Sequence, residues 1–311
     1  MASIQERLAD SLEVLKKYQD THENLVINGQ QELGTIHTKR LVQNGYLQPV
    51  IKGWYIPSFP GSEGDTTVWY ASYWNFIVAY ANKRFGENWC LTAEESLSFY
   101  AGETVAPCQL IIRTPKGSNN VISLMFGDSL MDITASLPKQ IEVDKQYGVH
   151  LYPLAEALVF CSPQYFKAEA LNARTCLFAL KDASEILKIV TEEGNTTRAA
   201  RIVGALRSIG RKDMAHEIEN LMLRLGYELR QENPFEDNSS VLFERQLSPY
   251  ATRIKLLWEE MRAQILCLEL PQPALPLNHE EILSNMEANY VKDSYHSLSI
   301  EGYRVTEGLI E

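Results

Sequence analysis

The spacing of apolar positions changes along the chain and predicts its elements. In residues 3–20, Ile4, Leu8, Leu12, Leu15 and Tyr18 recur at three- and four-residue intervals, which predicts a first amphipathic helix. Leu25-Val26-Ile27 is a short apolar run, and Asn28-Gly29 turns the chain after it. A second short helix is expected around Gln30 to Leu33. A third is expected from Ile36 to Gln43, with Thr35 as its N-cap and Asn44-Gly45 as a left-handed stop. Residues 46–50 and 53–57 then read as two short strands around Ile51-Lys52, a hairpin wing. Residues 66–100 are rich in aromatics, and Tyr70, Tyr73, Trp74, Ile77 and Tyr80 share helical spacing, so they form either a buried helix face or a ligand cage. Residues 108–150 read as short strands with turns at Lys116-Gly117 and Phe126-Gly127-Asp128.

From Pro153 the pattern becomes helical. Leu154, Leu158 and Val159 make one stripe, and Leu177, Leu180, Ile186, Leu187, Ile189 and Val190 another. Asn233-Pro234-Phe235 to Ser240 reads as the loop leaving these helices. Near the end, Trp258 to Arg262 sit on an amphipathic helix, residues 270–276 are Pro-rich, and Ile282, Leu283, Met286 and Tyr290 share one helical face. The order predicts an α+β chain that is mostly α. Its expected parts are a winged helix-turn-helix over 1–62, a mixed α/β domain over 63–150, a helical domain over 151–240 and a C-terminal helical lead-in over 241–311. A chain of 311 residues is long for a single core.

Charge changes this picture locally. The net charge of −11 argues against a protein that coats nucleic acid or membrane over its whole surface. Yet residues 33–62 contain no acid, in a chain with 40 of them, while Lys39, Arg40 and Lys52 remain. Short polar and basic side chains on a helix after a turn suit a DNA major groove. Candidate contacts are Thr35, His37, Thr38, Lys39, Arg40 and Gln43, with Lys52 of the wing on phosphate. The alternative is a winged helix used only for protein contact. A second basic run over 195–212 carries Arg198, Arg201, Arg207, Arg211 and Lys212. It reads as a nucleic-acid contact, a surface for an acidic partner, or a solvated helix face.

Catalytic chemistry is sparse. The six His show no H-x-x-x-H or H-E-x-x-H spacing, so no metal site is expected. There is no G-x-S-x-G and no G-K-[ST] phosphate loop. Five scattered cysteines without a C-x-x-C pair read as reduced thiols, and neither a signal peptide nor a membrane-length apolar run is present, so the expected location is the bacterial cytoplasm.

Residues 41–47, Leu-Val-Gln-Asn-Gly-Tyr-Leu, through Gly53-Trp54-Tyr55 resemble the winged-helix domain of AbiEi-type antitoxins. The likeness continues through Glu95 to Gly102 and through Ile111 to Gly117, over roughly the first 230 residues. It implies antitoxin action and autorepression of an operon through operator DNA.

Ser297-Leu298-Ser299-Ile300-Glu301-Gly302 is the chain's only S/T-x-x-x-E-G/N match. With the preceding Pro-rich stretch and helix, it resembles the region just before the catalytic core of Fic proteins, which transfer AMP from ATP to a protein hydroxyl. The resemblance implies that Glu301 is an inhibitory carboxylate, flanked by the motif positions Ser297 and Gly302. It would pair with an arginine of the core and block the γ-phosphate position, because arginine offers carboxylate and phosphate the same planar donor fork. The core motif H-P-F-x-[DE]-G-N-G-R is absent from these 311 residues. No catalysis is therefore expected from this chain alone. The implied partner is a Fic core in cis or in trans, and ATP and Mg are implied for that core, not for this chain. A stand-alone AbiEi-like autorepressor, a protein-interaction scaffold and a solvated Glu301 at a surface helix end are the alternatives.

Overall fold

In a computed structural model, the described residues are 3–22, 26–61, 64–230, 232–235, 248–268 and 278–300. The fold is α+β and mostly α, and the chain divides into two compact units, Met1–Glu260 and Met261–Glu311.

The first unit opens with α1 (Ile4–Thr21). Ser3 caps it: the Glu6 amide donates to Ser3 Oγ at 3.1 Å, and the Ser3 amide donates to the Glu6 carboxylate at 2.6 Å. Next come β1 (Ile27–Asn28), a π-helical turn (Gly29–Leu33), α2 (Thr35–Gln43), β2 (Leu47–Ile51) and β3 (Trp54–Pro57). The sheet order is β1-β3-β2, all antiparallel, with Ile27 opposite Tyr55 and Leu47 opposite Pro57. This is a winged helix-turn-helix, with Leu15, Tyr18, Ile27, Leu33, Leu41 and Leu47 as its core. The N-cap of α2 is Gly34, not Thr35: Gly34 adopts φ +81°, and Thr35 already lies in the first helical turn. Gly45 takes the expected left-handed stop at φ +76°.

Helix α3 (Thr67–Phe85) follows and is buried nearly all round by Trp69, Tyr73, Trp74, Phe76, Ile77 and Tyr80. Tyr70, expected on the buried face, is 46% exposed, and Trp69 takes the buried place instead. The rings pack mostly edge-to-face, such as Tyr73 on Trp74 with centroids 5.0 Å apart, and fill the interior as core, not as a ligand cage. Against α3 lies a four-stranded sheet, order β4-β5-β7-β6, built from β4 (Cys90–Leu91), β5 (Gln109–Thr114), β6 (Val121–Ser123) and β7 (Ser129–Thr134). Strands β5 and β7 are parallel, and the other pairs are antiparallel. Buried Asp132 of β7 accepts from the Ser118 amide at 2.6 Å and pairs with Arg84 of α3 at 3.1 Å, pinning helix, strand and turn together. Helix α4 (Ala93–Tyr100) lies between β4 and β5, and β8 (Glu142–Val143) pairs with β9 (His150–Leu151).

The remaining helices are α5 (Leu154–Phe160), α6 (Tyr165–Ala168), α7 (Ala170–Ala179), α8 (Ser184–Glu193), α9 (Thr196–Ser208) and α10 (Lys212–Arg224), then α11 (Pro249–Cys267) and α12 (His279–Ile300). The expected boundary at 150/151 is not a boundary between cores. Cys90, Ala93, Leu97 and Ala101 pack with the helical cluster, whereas Val149 and Leu151 pack with the aromatic and sheet cluster. Likewise Val50, Trp54 and Ile56 of the wing strands join the α3 core, so residues 1–62 do not close on themselves. Among the described residues no helix is long and apolar enough to cross a membrane.

Candidate functional site

The winged helix is built so that α2 stands on the turn before it. Thr38 carries the junction: its hydroxyl lies 2.8 Å from the Gly29 carbonyl and 2.9 Å from the Gly34 carbonyl and shares its one proton between them. Gly29 allows this close approach, because a Cβ there would lie 2.6 Å from the Thr38 methyl and 2.7 Å from the Tyr55 ring. On the other side Tyr18 of α1 donates to the Val26 carbonyl at 3.1 Å, and burial holds its phenol above the ordinary range.

These bonds sort the expected DNA contacts. Thr38 is buried and spent on the fold, so it is not a groove contact. His37 is half-buried with Nδ1 3.1 Å from Ser11 Oγ. Arg40 donates through one Nη to the Arg7 carbonyl at 2.6 Å and to Ser11 Oγ at 2.7 Å, tying α2 to α1. Thr35, Lys39 and Gln43 are exposed on α2, and Lys52 is exposed at the tip of the wing. Ile36 stands 70% exposed among them and was missed in the sequence reading. Its signal was available: Leu41 marks the buried side of α2, and Ile36, five positions before it, lies about 140° away from that side.

The second basic run does not form a free patch. Arg201 is buried and donates to the carbonyls of Val159 and Cys161 at 3.0 and 2.9 Å, and burial pulls its guanidinium pKa down. Arg211 donates to the Leu177 and Leu180 carbonyls at 2.7 and 2.8 Å. Arg207 pairs with Glu219, and Arg198 with Glu193. Of the five cations in this run only Lys212 is exposed; the arginines mainly satisfy carbonyls and carboxylates where α9 meets its neighbours.

Helix α12 carries Ser297 exposed in its last turns. Glu301 and Gly302 lie outside the described residues, as does the Pro-rich stretch 270–276. The expected apolar face of α12 is present, and Ile282, Leu283, Met286 and Tyr290 are all exposed on it. Helix α11 also displays Ile254, Trp258, Met261 and Ile265 to solvent. Of the cysteines, Cys90, Cys161 and Cys176 are buried and Cys108 and Cys267 exposed, all of them free; burial pushes the Cys90 and Cys161 thiols up to about 12, which disfavours the nucleophilic thiolate. Among the described residues no three His, Cys, Asp or Glu side chains gather in a way that would hold a metal ion.

No protein-family model matches the chain, and no curated protein matches its sequence.

Proposed function

We propose that this chain is the regulatory region of a Fic-type protein AMP transferase, with Glu301 as the carboxylate that occupies the γ-phosphate-binding arginine of a Fic core. The observation that carries this reading is the S-x-x-x-E-G sequence, whose Ser297 is exposed in the last turns of the 22-residue helix α12. ATP and Mg belong to the core in this reading. What this chain contributes is one anion in competition with a phosphate for a planar guanidinium. The test supplies a Fic core, in cis or in trans, and measures its auto-AMPylation from labelled ATP. Glu301→Gly is expected to release activity by a factor of roughly one hundred or more, because separating a buried carboxylate from its arginine is worth about 3–5 kcal/mol. Unchanged labelling rejects Glu301 as the brake.

A second activity of the same chain, or its whole function as a stand-alone autorepressor, is operator binding by the winged helix. It is favoured by the exposure of Thr35, Ile36, Lys39 and Gln43 on α2 beside an exposed wing lysine, Lys52, within an acid-free stretch. Lys39→Ala and Lys52→Ala are each expected to lower the slope of log affinity against log salt by about one. Absence of any gel shift at low salt, with DNA from upstream of the gene, counts against it.

A further inference from the structure

Where β5, α5 and α8 meet, the first unit holds a cavity of about 460 Å³, a volume typical of small-molecule sites. It is lined by residues that arrive from sequence-distant elements: Arg113 of β5, Lys139 of the loop after β7, Tyr152, Glu156 and Phe160 around α5, and Arg198 at the start of α9. Two of its cations are already matched within the protein. Lys139 pairs with Glu192 at 2.5 Å, and Arg198 pairs with Glu193 at 3.1 Å while lying over the Phe160 ring.

Arg113 and Glu156 are different. Arg113 lies over the Tyr152 ring and donates through one Nη to the Ser136 carbonyl at 3.2 Å, but its Nε is buried without an acceptor. A buried guanidinium N–H left unmade costs free energy that an incoming acceptor would recover. Glu156 has no hydrogen-bond partner among the described residues; burial raises its carboxyl above the ordinary range and Glu192 adds to this, while Lys139 and Lys188 oppose it only in part, so a cation bonded directly to it would offset the remaining cost. The Tyr152 hydroxyl is likewise free of a protein partner among the described residues. A guanidinium with one unused N–H, a carboxyl without a hydrogen-bond partner and aromatic walls therefore share a single cavity.

We propose that this cavity binds a small zwitterion of the amino-acid type, with its carboxylate on Arg113, its ammonium on Glu156 and an apolar side chain along Phe160 and Ile189. The site is independent of both the Fic and the DNA reading, and it is tested without either.

The full chain is titrated calorimetrically, and its melting temperature followed, with the twenty protein amino acids, succinate and inorganic phosphate as probes. Apolar amino acids are expected to bind and to raise the melting temperature, while succinate and phosphate bind far more weakly. Arg113→Gln and Glu156→Gln are each expected to weaken binding by at least about tenfold, the loss of one charge-assisted contact. Each variant's melting temperature without ligand reports whether it folds. Should Arg113→Gln not fold, Arg113→Lys keeps the charge but loses the planar fork, and is expected to weaken binding as well. No response to any amino acid at millimolar concentration overturns the proposal. So does binding that favours phosphate or succinate, or that is indifferent to Glu156→Gln in a folded variant.

Discussion

Glu95 of α4 shows how a side chain can work against the fold that holds it. Burial is the larger cause and repulsion from Glu94, Glu103 and Glu169 the smaller, and together they push its carboxyl from the ordinary 4.5 up to about 7. A carboxyl whose pKa is raised in the folded state binds its proton more tightly there than in the unfolded chain. Its favourable contribution is complete below the ordinary 4.5 and is lost as the pH rises through about 7. Glu95→Gln is therefore expected to stabilise the protein at pH 8 by on the order of 2 kcal/mol, with little change at pH 4. Urea unfolding at the two pH values measures this, and an equal gain at both would show that charge is not the cause. Arginine was misread at the same scale. Charge told that residues 195–212 are basic, but only the folded chain shows carbonyls at the C-terminal ends of α5 and α7 taking the guanidinium N–H groups of Arg201 and Arg211.

Among elements, the winged helix was the most legible. Its apolar stripes and two turn glycines announced α1, α2 and the wing, because each is decided within a dozen residues. The N-cap of α2 was misplaced by one position because Gly34 supplies a backbone conformation, not a capping oxygen. Which polar residues of α2 face outward was less legible. Thr38 and Lys39 look equally suited to a groove, and only packing against Gly29 and Gly34 consumes the first. Thr38→Ala is expected to cost about 1–2 kcal/mol of stability, since it strands a buried contact, while leaving the salt dependence of any DNA binding unchanged. A shallower salt slope with an unchanged melting temperature would return Thr38 to the contact surface. The four-stranded sheet was harder still: the strands were expected, but the parallel pairing of β5 with β7 joins residues that no local pattern links.

At the scale of the molecule, the N-terminal half of α11 is held on the first unit by a small set of contacts. Arg253 pairs with Glu103 at 3.2 Å, Asn172 also donates to Glu103, Thr252 and Leu256 are buried, and the Tyr250 ring lies against Gly102. A Cβ at Gly102 would sit 2.7 Å from that ring, and Gly102 adopts φ +79°, so a larger residue there is strained. The ion pair is partly exposed and is worth about 1 kcal/mol at most. Arg253→Ala is accordingly expected to speed amide exchange across residues 249–256 up to about fivefold, with no matching change in α5 or α9. Uniform acceleration through the whole unit would mean that α11 is part of one cooperative fold and not a separately seated helix.

Local chemistry in the chain determined the fold class, the winged helix, the aromatic helix α3 and the S-x-x-x-E-G motif ending at Gly302, because periodicity, turn residues and short motifs act over a few positions. Tertiary structure alone decided that the apparent domains interlock through shared cores, that the second basic run is internal scaffolding, and that Arg113 and Glu156 meet in one cavity. The reason is physical: burial, hydrogen-bond satisfaction and charge pairing depend on which distant segments the fold brings together. Gly204 is the plainest instance, being unremarkable in a helical stripe until the carbonyl of Glu232 arrives 1.4 Å from where its Cβ would be.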